Sequence, residues 1–87
     1  MANDIDKLKA IRKGCEMTQH GMANQLGMSL RAYQALEAGE SQIRPIHILA
    51  AERVALTHAV FKERMDMCPA DVRSDALDLA TLIRGKA

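Results

Sequence analysis

The stretch TQHGMANQLGMSLRAYQALEAG, residues 18–39, constrains this chain more than any other part of it. Its small and apolar residues fall where two short helices crossing over a tight turn need them. Met22, Ala23 and Leu26 lie one turn apart on a first helix, and Met28, Tyr33 and Leu36 form the inward face of a second. Ala23 is small enough to let the two helices meet at close range. Gly27, between them, can take the positive φ that a sharp reversal requires. Each of these residues alone is commonplace; their agreement in spacing is not.

The rest of the chain is consistent with a single small all-α domain of four or five helices. It has 87 residues, only two prolines, and few runs of β-branched residues. Tyr33 and Phe61 are its only aromatics, so the core must be aliphatic and filled with Met. A first helix is expected over Asp4–Lys13, capped by Asn3 or Asp4 and ended by Gly14, with Ile5, Leu8, Ile11 and Cys15 as its buried stripe. Thr18 caps a second helix, Gln19–Leu26. Ser29 caps a third, Leu30–Ala38, which Gly39 closes.

After the loop ESQIR, Pro45 suits the first position of a fourth helix. Ile46, Leu49, Ala50, Val54, Thr57, Val60 or Phe61, and Arg64 or Met65 continue one face with no breaker before Pro69. That predicts a helix of about twenty residues, with His58 as the place for a kink. Pro69 then opens a fifth helix with Val72, Ala76, Leu79 or Ala80, and Ile83 on one face, paired with the fourth as an antiparallel hairpin.

The net charge of +1 says little, but its distribution says more. Lys7, Lys9, Arg12, Lys13 and Arg31 face only Glu16 between residues 7 and 34. From residue 62 onwards, Lys62, Arg64, Arg73, Arg84 and Lys86 are balanced by Glu63, Asp66, Asp71, Asp75 and Asp78. Cys15, Cys68, His20, His47 and His58 show no metal-ligand spacing, so neither a metal site nor a disulfide is expected. With no signal peptide and no long apolar run, a soluble cytoplasmic protein is expected. The absence of a nucleophile beside a His, and of a Gly-rich phosphate loop, argues against an enzyme.

Arg12, Thr18-Gln19, Met22-Ala23, Leu26-Gly27, Ser29, and the string Tyr33-Gln34-Ala35-Leu36-Glu37-Ala38-Gly39 followed by Pro45 together resemble the lambda-repressor/Cro-type helix-turn-helix family, also called the XRE family. The resemblance covers residues 5–57. It implies a lambda-repressor-like helical bundle that binds double-stranded DNA as a homodimer, prokaryotic or phage-encoded, with no cofactor and no small-molecule ligand. Residues 1–57 would form the DNA-binding domain and 58–87 a helical extension. That extension, with the fourth helix, is the favoured dimer surface, ahead of the region between the third and fourth helices.

By the same resemblance, Gln19 opens the second helix where the family grips a backbone phosphate or supports the first recognition residues, and Ser29, Leu30, Arg31 and Ala35 occupy groove-facing positions. Arg12 and Glu37 match a partly buried ion pair, while Arg44 and the ESQIR loop lie along the DNA backbone. Glu40 departs from the family, which often has a basic residue there. Gly14 departs too, since the family places glycine at the position of Glu16. The tail beyond Thr57 has no counterpart.

The chemistry of these residues fits such roles. Arg31 can donate two hydrogen bonds to O6 and N7 of guanine, worth about 1–3 kcal/mol of discrimination. Leu30 and Ala35 either touch thymine methyls or simply let the helix sit deep in the groove. Gln34 and Lys13 are suited to phosphate contacts. These features point to a dimeric repressor reading a palindrome. The alternative is a protein-binding module, such as an antitoxin, built on the same fold.

Overall fold

The computed structural model describes residues 3–85, so Lys86 of the charge count lies outside the described residues. Five α-helices follow one another: α1 (Asp4–Gly14), α2 (Gln19–Leu26), α3 (Leu30–Ala38), α4 (Pro45–Lys62) and α5 (Ala70–Arg84), with a single 3-10 turn, Met65–Met67, before the last. Among the described residues there is no strand.

The boundaries have local causes. The Asn3 side chain accepts a hydrogen bond from the Asp6 amide, Thr18 from that of Gly21, and Ser29 from that of Ala32. Gly27 and Gly39 take left-handed conformations, φ 71° and 80°, and close α2 and α3. Pro45 stands at the first position of α4, where the amide it lacks would have had no helical partner.

The main core gathers Leu8 and Ile11 from α1, Cys15 just past its end, Met22 and Ala23 from α2, Tyr33 and Leu36 from α3, and Ile48, Ala51 and Ala55 from α4. Ile5, Leu26 and Met28 pack around it. The structure therefore places Met22, Ala23, Leu26, Met28, Tyr33 and Leu36 on the inward faces that the sequence assigns them. Tyr33 is fully buried, hydroxyl included, and that hydroxyl has no hydrogen-bond partner.

Three expectations are corrected. Helix α4 buries Ile48, Ala51, Ala55 and Ala59, whereas Ile46, Leu49, Val60 and Phe61 from the expected face are exposed. An alanine face lets α4 approach α1 and α2 closely, and the bulky side chains are turned outward. Second, α4 has 18 residues, close to the length expected, but no kink. It stops at Lys62 because Glu63 turns left-handed, φ 55°, and runs unbroken through His58. Third, Gly14 is the last helical residue of α1, and the left-handed turn falls on Glu16, φ 57°. The Glu16 carboxylate accepts a hydrogen bond from Arg64 at 3.2 Å, which links that turn to the end of α4.

A second, smaller cluster forms where α4 ends: Ala59, Met67 and Cys68, with Leu56 and Val72 against it. The Cys15 thiol reaches the Met67 carbonyl at 3.7 Å, tying this cluster to α1. Both cysteines are free and buried, and burial pushes both thiol pKa values up. Beyond this cluster α5 buries no residue. The molecule is correspondingly long, 50 × 26 × 19 Å. Its radius of gyration is 14.0 Å, against about 12 Å for a compact chain of this length.

Candidate nucleic-acid interface

Helix α3 has two distinct faces. Tyr33, Leu36 and Glu37 point into the protein, while Arg31, Gln34 and Ala38, one turn apart, are exposed together. Leu30 stands at the margin of the outward face and Ala35 is half-buried at its other edge. Ser29 caps the helix, so its hydroxyl oxygen is already engaged with the Ala32 amide at 3.1 Å. The amides of Leu30 and Arg31, in the first turn, have no helical carbonyl to bond. Lys13, at the end of α1, and Arg44, just before α4, are both exposed.

Beneath this surface lies a polar chain. Arg12 donates from Nε to Glu37 Oε2 at 2.8 Å and from Nη2 to Glu37 Oε1 at 3.0 Å, a two-pronged pair. Its third nitrogen, Nη1, donates to the Met17 carbonyl at 3.1 Å, fixing the α1–α2 connection. Glu37 Oε1 also accepts from Gln19 Nε2 at 3.1 Å, and Gln19 Oε1 accepts from Gln34 Nε2 at 3.3 Å. One connected network thus runs from the core to the outward face of α3. Gln19 is held between a buried carboxylate and an exposed amide.

Glu37 is only 4% exposed. Burial opposes its charge most strongly, but the bonds from Arg12 and Gln19 outweigh that effect and hold its pKa below the usual carboxylate value. Arg12 is pulled the other way, chiefly by its bond to Glu37. The Tyr33 hydroxyl lies in the field of both charges without bonding to either, and its burial above all pushes its pKa up.

The loop between α3 and α4 is equally defined. The Ala35 carbonyl accepts from the amides of Glu40 and Ser41, at 2.9 and 3.1 Å, and buried Ile43 anchors the segment. The Arg44 amide donates to His47 Nδ1 at 2.9 Å, which sets the entry into α4.

A family model described as helix-turn-helix matches residues 8–54, just over half of the chain. The chain belongs to this family. Neither the curated proteins nor the solved structures yield a match to the chain. The family is the XRE group of DNA-binding regulators, so α2, the turn at Gly27 and α3 are its helix-turn-helix. The matched span closes before the end of α4 and leaves α5 outside it. Among the described residues no helix is long and apolar enough to cross a membrane.

The structure brings Gln19 and Gln34 into contact and sets Arg31 beside Gln34 on one face. It leaves Lys13 and Arg44 exposed on other elements. Two features of the surface are new relative to the sequence reading. Ala38 shares the outward face of α3, as its spacing from Arg31 and Gln34 could have shown. The Gln19–Glu37 bond joins residues 18 apart on different helices, and no local pattern announces it.

Proposed function

We propose that this chain is a homodimeric transcriptional repressor that reads a palindromic operator by placing α3 in the major groove. The observation that carries this reading is the division of α3. Its inner residues fix it to the core, and its outer face carries Arg31 and Gln34, both exposed, with Gln34 bonded only to Gln19. Arg31 reads a guanine edge, and Leu30 and Ala35 set how deeply the helix sits. Gln19, Ser29 and Gln34 contact phosphate, helped by the unpaired first-turn amides of α2 and α3. Lys13 and Arg44 add backbone contacts that carry no sequence information.

One such domain makes few phosphate contacts, so useful affinity needs two. Half-sites about 10–10.5 bp apart follow from two copies on one side of the duplex. Residues 1–57 are assigned to DNA and α4 with residues 58–87 to dimerisation. Repression follows from occupancy, by blocking polymerase at a promoter that overlaps the operator.

The test is selection of a random duplex pool on the purified protein at near-physiological salt. Enrichment of a two-fold palindrome supports the reading; no enrichment from folded protein would sink it. Repeating the selection with Arg31→Ala should relax preference at one base position per half-site, a loss of about 1–3 kcal/mol of discrimination. Unchanged preference removes Arg31 from the reading face.

A further inference from the structure

We propose that Cys15 and Cys68 form a reversible disulfide within one chain when the protein meets a hydroperoxide, with Cys68 as the thiol oxidised first. Such a modification site goes beyond the repressor reading and stands whether or not the chain binds DNA.

The two cysteines are distant in sequence, and no spacing pairs them. The fold does. Cys15, just past the end of α1, donates its thiol hydrogen to the Met67 carbonyl at 3.7 Å. That carbonyl belongs to the peptide bond leading into Cys68. A carbonyl oxygen lies about 2.8 Å from the next Cα, so the Cys15 sulfur is within about 6.5 Å of the Cys68 Cα. The Cys15 thiol also feels the charge of Cys68, which adds to the rise in its pKa after burial. Turning the two side chains about χ1, with a small shift of the turn Met65–Met67, closes the remaining gap. Residues 60–66 ahead of Met67 are exposed, so the shift displaces little of the core.

The thiols differ in access. Cys15 is 1% exposed and belongs to the main core. Cys68 belongs to the small cluster at the end of α4 and lines an open groove of about 780 Å³ with Val60, Met65 and Leu77. A small oxidant in that groove meets Cys68 and not Cys15.

They differ in charge as well. Arg73, also on the groove, has no ion pair among the described residues. Its Nη1 donates to the Met65 carbonyl at 3.2 Å, which keeps the guanidinium over this segment. Burial raises the Cys68 pKa, and Arg73 is the group that opposes it. The thiolate is the form that peroxide oxidises, so the reachable sulfur beside a cation reacts and its buried neighbour resolves the product.

With hydrogen peroxide the steps balance. The Cys68 sulfur attacks one peroxide oxygen, the O–O bond breaks, and the departing hydroxide takes the thiol proton to give water. Cys68 then carries a sulfenic acid. The Cys15 sulfur displaces its hydroxyl: the S–S bond forms, the S–O bond breaks, and hydroxide leaves with the Cys15 proton as a second water. The two thiols lose two electrons and two protons together, and the peroxide takes up both.

The bond closes residues 15–68, with α2, α3 and all of α4, into one covalent loop. It also fixes the base of the polar network. The Cys15 amide bonds the Ile11 and Arg12 carbonyls, both at 3.2 Å, and two residues on the Met17 carbonyl holds the Arg12 side chain. Peroxide therefore tightens the frame that carries the helix-turn-helix.

The test treats the full chain with a modest excess of hydrogen peroxide, then counts thiols after denaturation and maps the peptides without reduction. Both thiols should disappear together into one peptide pair joining Cys15 to Cys68, in a chain of unchanged 9.6 kDa size. Dithiothreitol should restore both. The oxidised chain should melt higher by roughly 10 °C, from loop closure in a domain of this size. In Cys15→Ala, dimedone should trap the sulfenic acid at Cys68. In Cys68→Ala, the Cys15 thiol should survive the same treatment at least about 10-fold longer.

Two thiols that persist in the wild type overturn the proposal, as do cross-links between chains or an oxidised chain that melts lower. Equal oxidation of Cys15 and Cys68 in the two variants overturns the order of reaction. The thiol count needs no DNA, so selection of a palindrome by the reduced chain succeeds or fails independently of it.

Discussion

Helices α3 and α5 are both amphipathic and both end at a glycine, yet they are held in different ways. Helix α3 has nine residues, a Ser29 cap, three buried side chains and an ion pair beneath it. Helix α5 has fifteen residues, no side-chain cap bond at Pro69, and no buried side chain. Amphipathicity states that a helix wants a partner without stating where that partner is. For α3 the partner is the chain's own core. For most of α5 this chain supplies none.

The sharpest way to break this contrast is to remove the anchor of α3. Glu37→Ala leaves the partly buried Arg12 without its carboxylate, which costs about 3–5 kcal/mol. In a domain this small that should abolish a cooperative thermal transition near physiological temperature. A variant that melts like the wild type would show that the ion pair does not hold α3.

The next test makes one chemical change in two places. Leu8→Ala, at a fully buried site in α1, should cost about 2–5 kcal/mol in urea unfolding. Leu82→Ala, at a site 65% exposed in α5, should change the stability of the dilute monomer by less than about 0.5 kcal/mol. Equal losses would mean that α5 is packed as tightly as the body.

Acid gives a third, smaller effect. The pKa of Glu37 is below its ordinary value of 4.5 in the folded protein. Its contribution to stability is therefore complete above that value and is lost as pH falls through the lower, folded one. Thermal midpoints should fall below about pH 4.5, and Glu37→Gln should flatten that part of the profile. A wild-type midpoint constant down to pH 3 would contradict the assignment.

The mildest substitution is Gly14→Ala. Gly14 is helical, and an added Cβ would meet nothing within 4 Å. A gain of about 0.5–1 kcal/mol is expected from helix propensity and the stiffer unfolded chain. Destabilisation would show that the end of α1 needs its glycine.

Much of the region from α1 to α3 is legible in the sequence because its turns use residues with distinctive chemistry. Thr18 and Ser29 can cap, and Gly27 and Gly39 can turn left-handed. Left-handed Glu16 and Glu63 carry no such mark, so the α1–α2 turn and the end of α4 are not legible in the same way. The buried face of α4 is hidden for a different reason. Ranking by hydrophobicity sends Leu49 and Val60 inward, but helices that approach closely need Ala51 and Ala55 between them. The residues of the proposed DNA surface follow from the family's pattern; the bond from Gln19 to Glu37 depends on how separate helices meet, and the sequence does not display that.

The division of α3 into two faces also bears on how such a protein can diverge. Arg31 and Ala38 take no part in the core or in the polar network, so exchanging them leaves the scaffold untouched. Gln34 is bound only to Gln19, through one exposed contact, and is nearly as free. Descendants could accumulate changes at these three positions with few losses of folded protein. The same backbone could then acquire new surface chemistries one residue at a time.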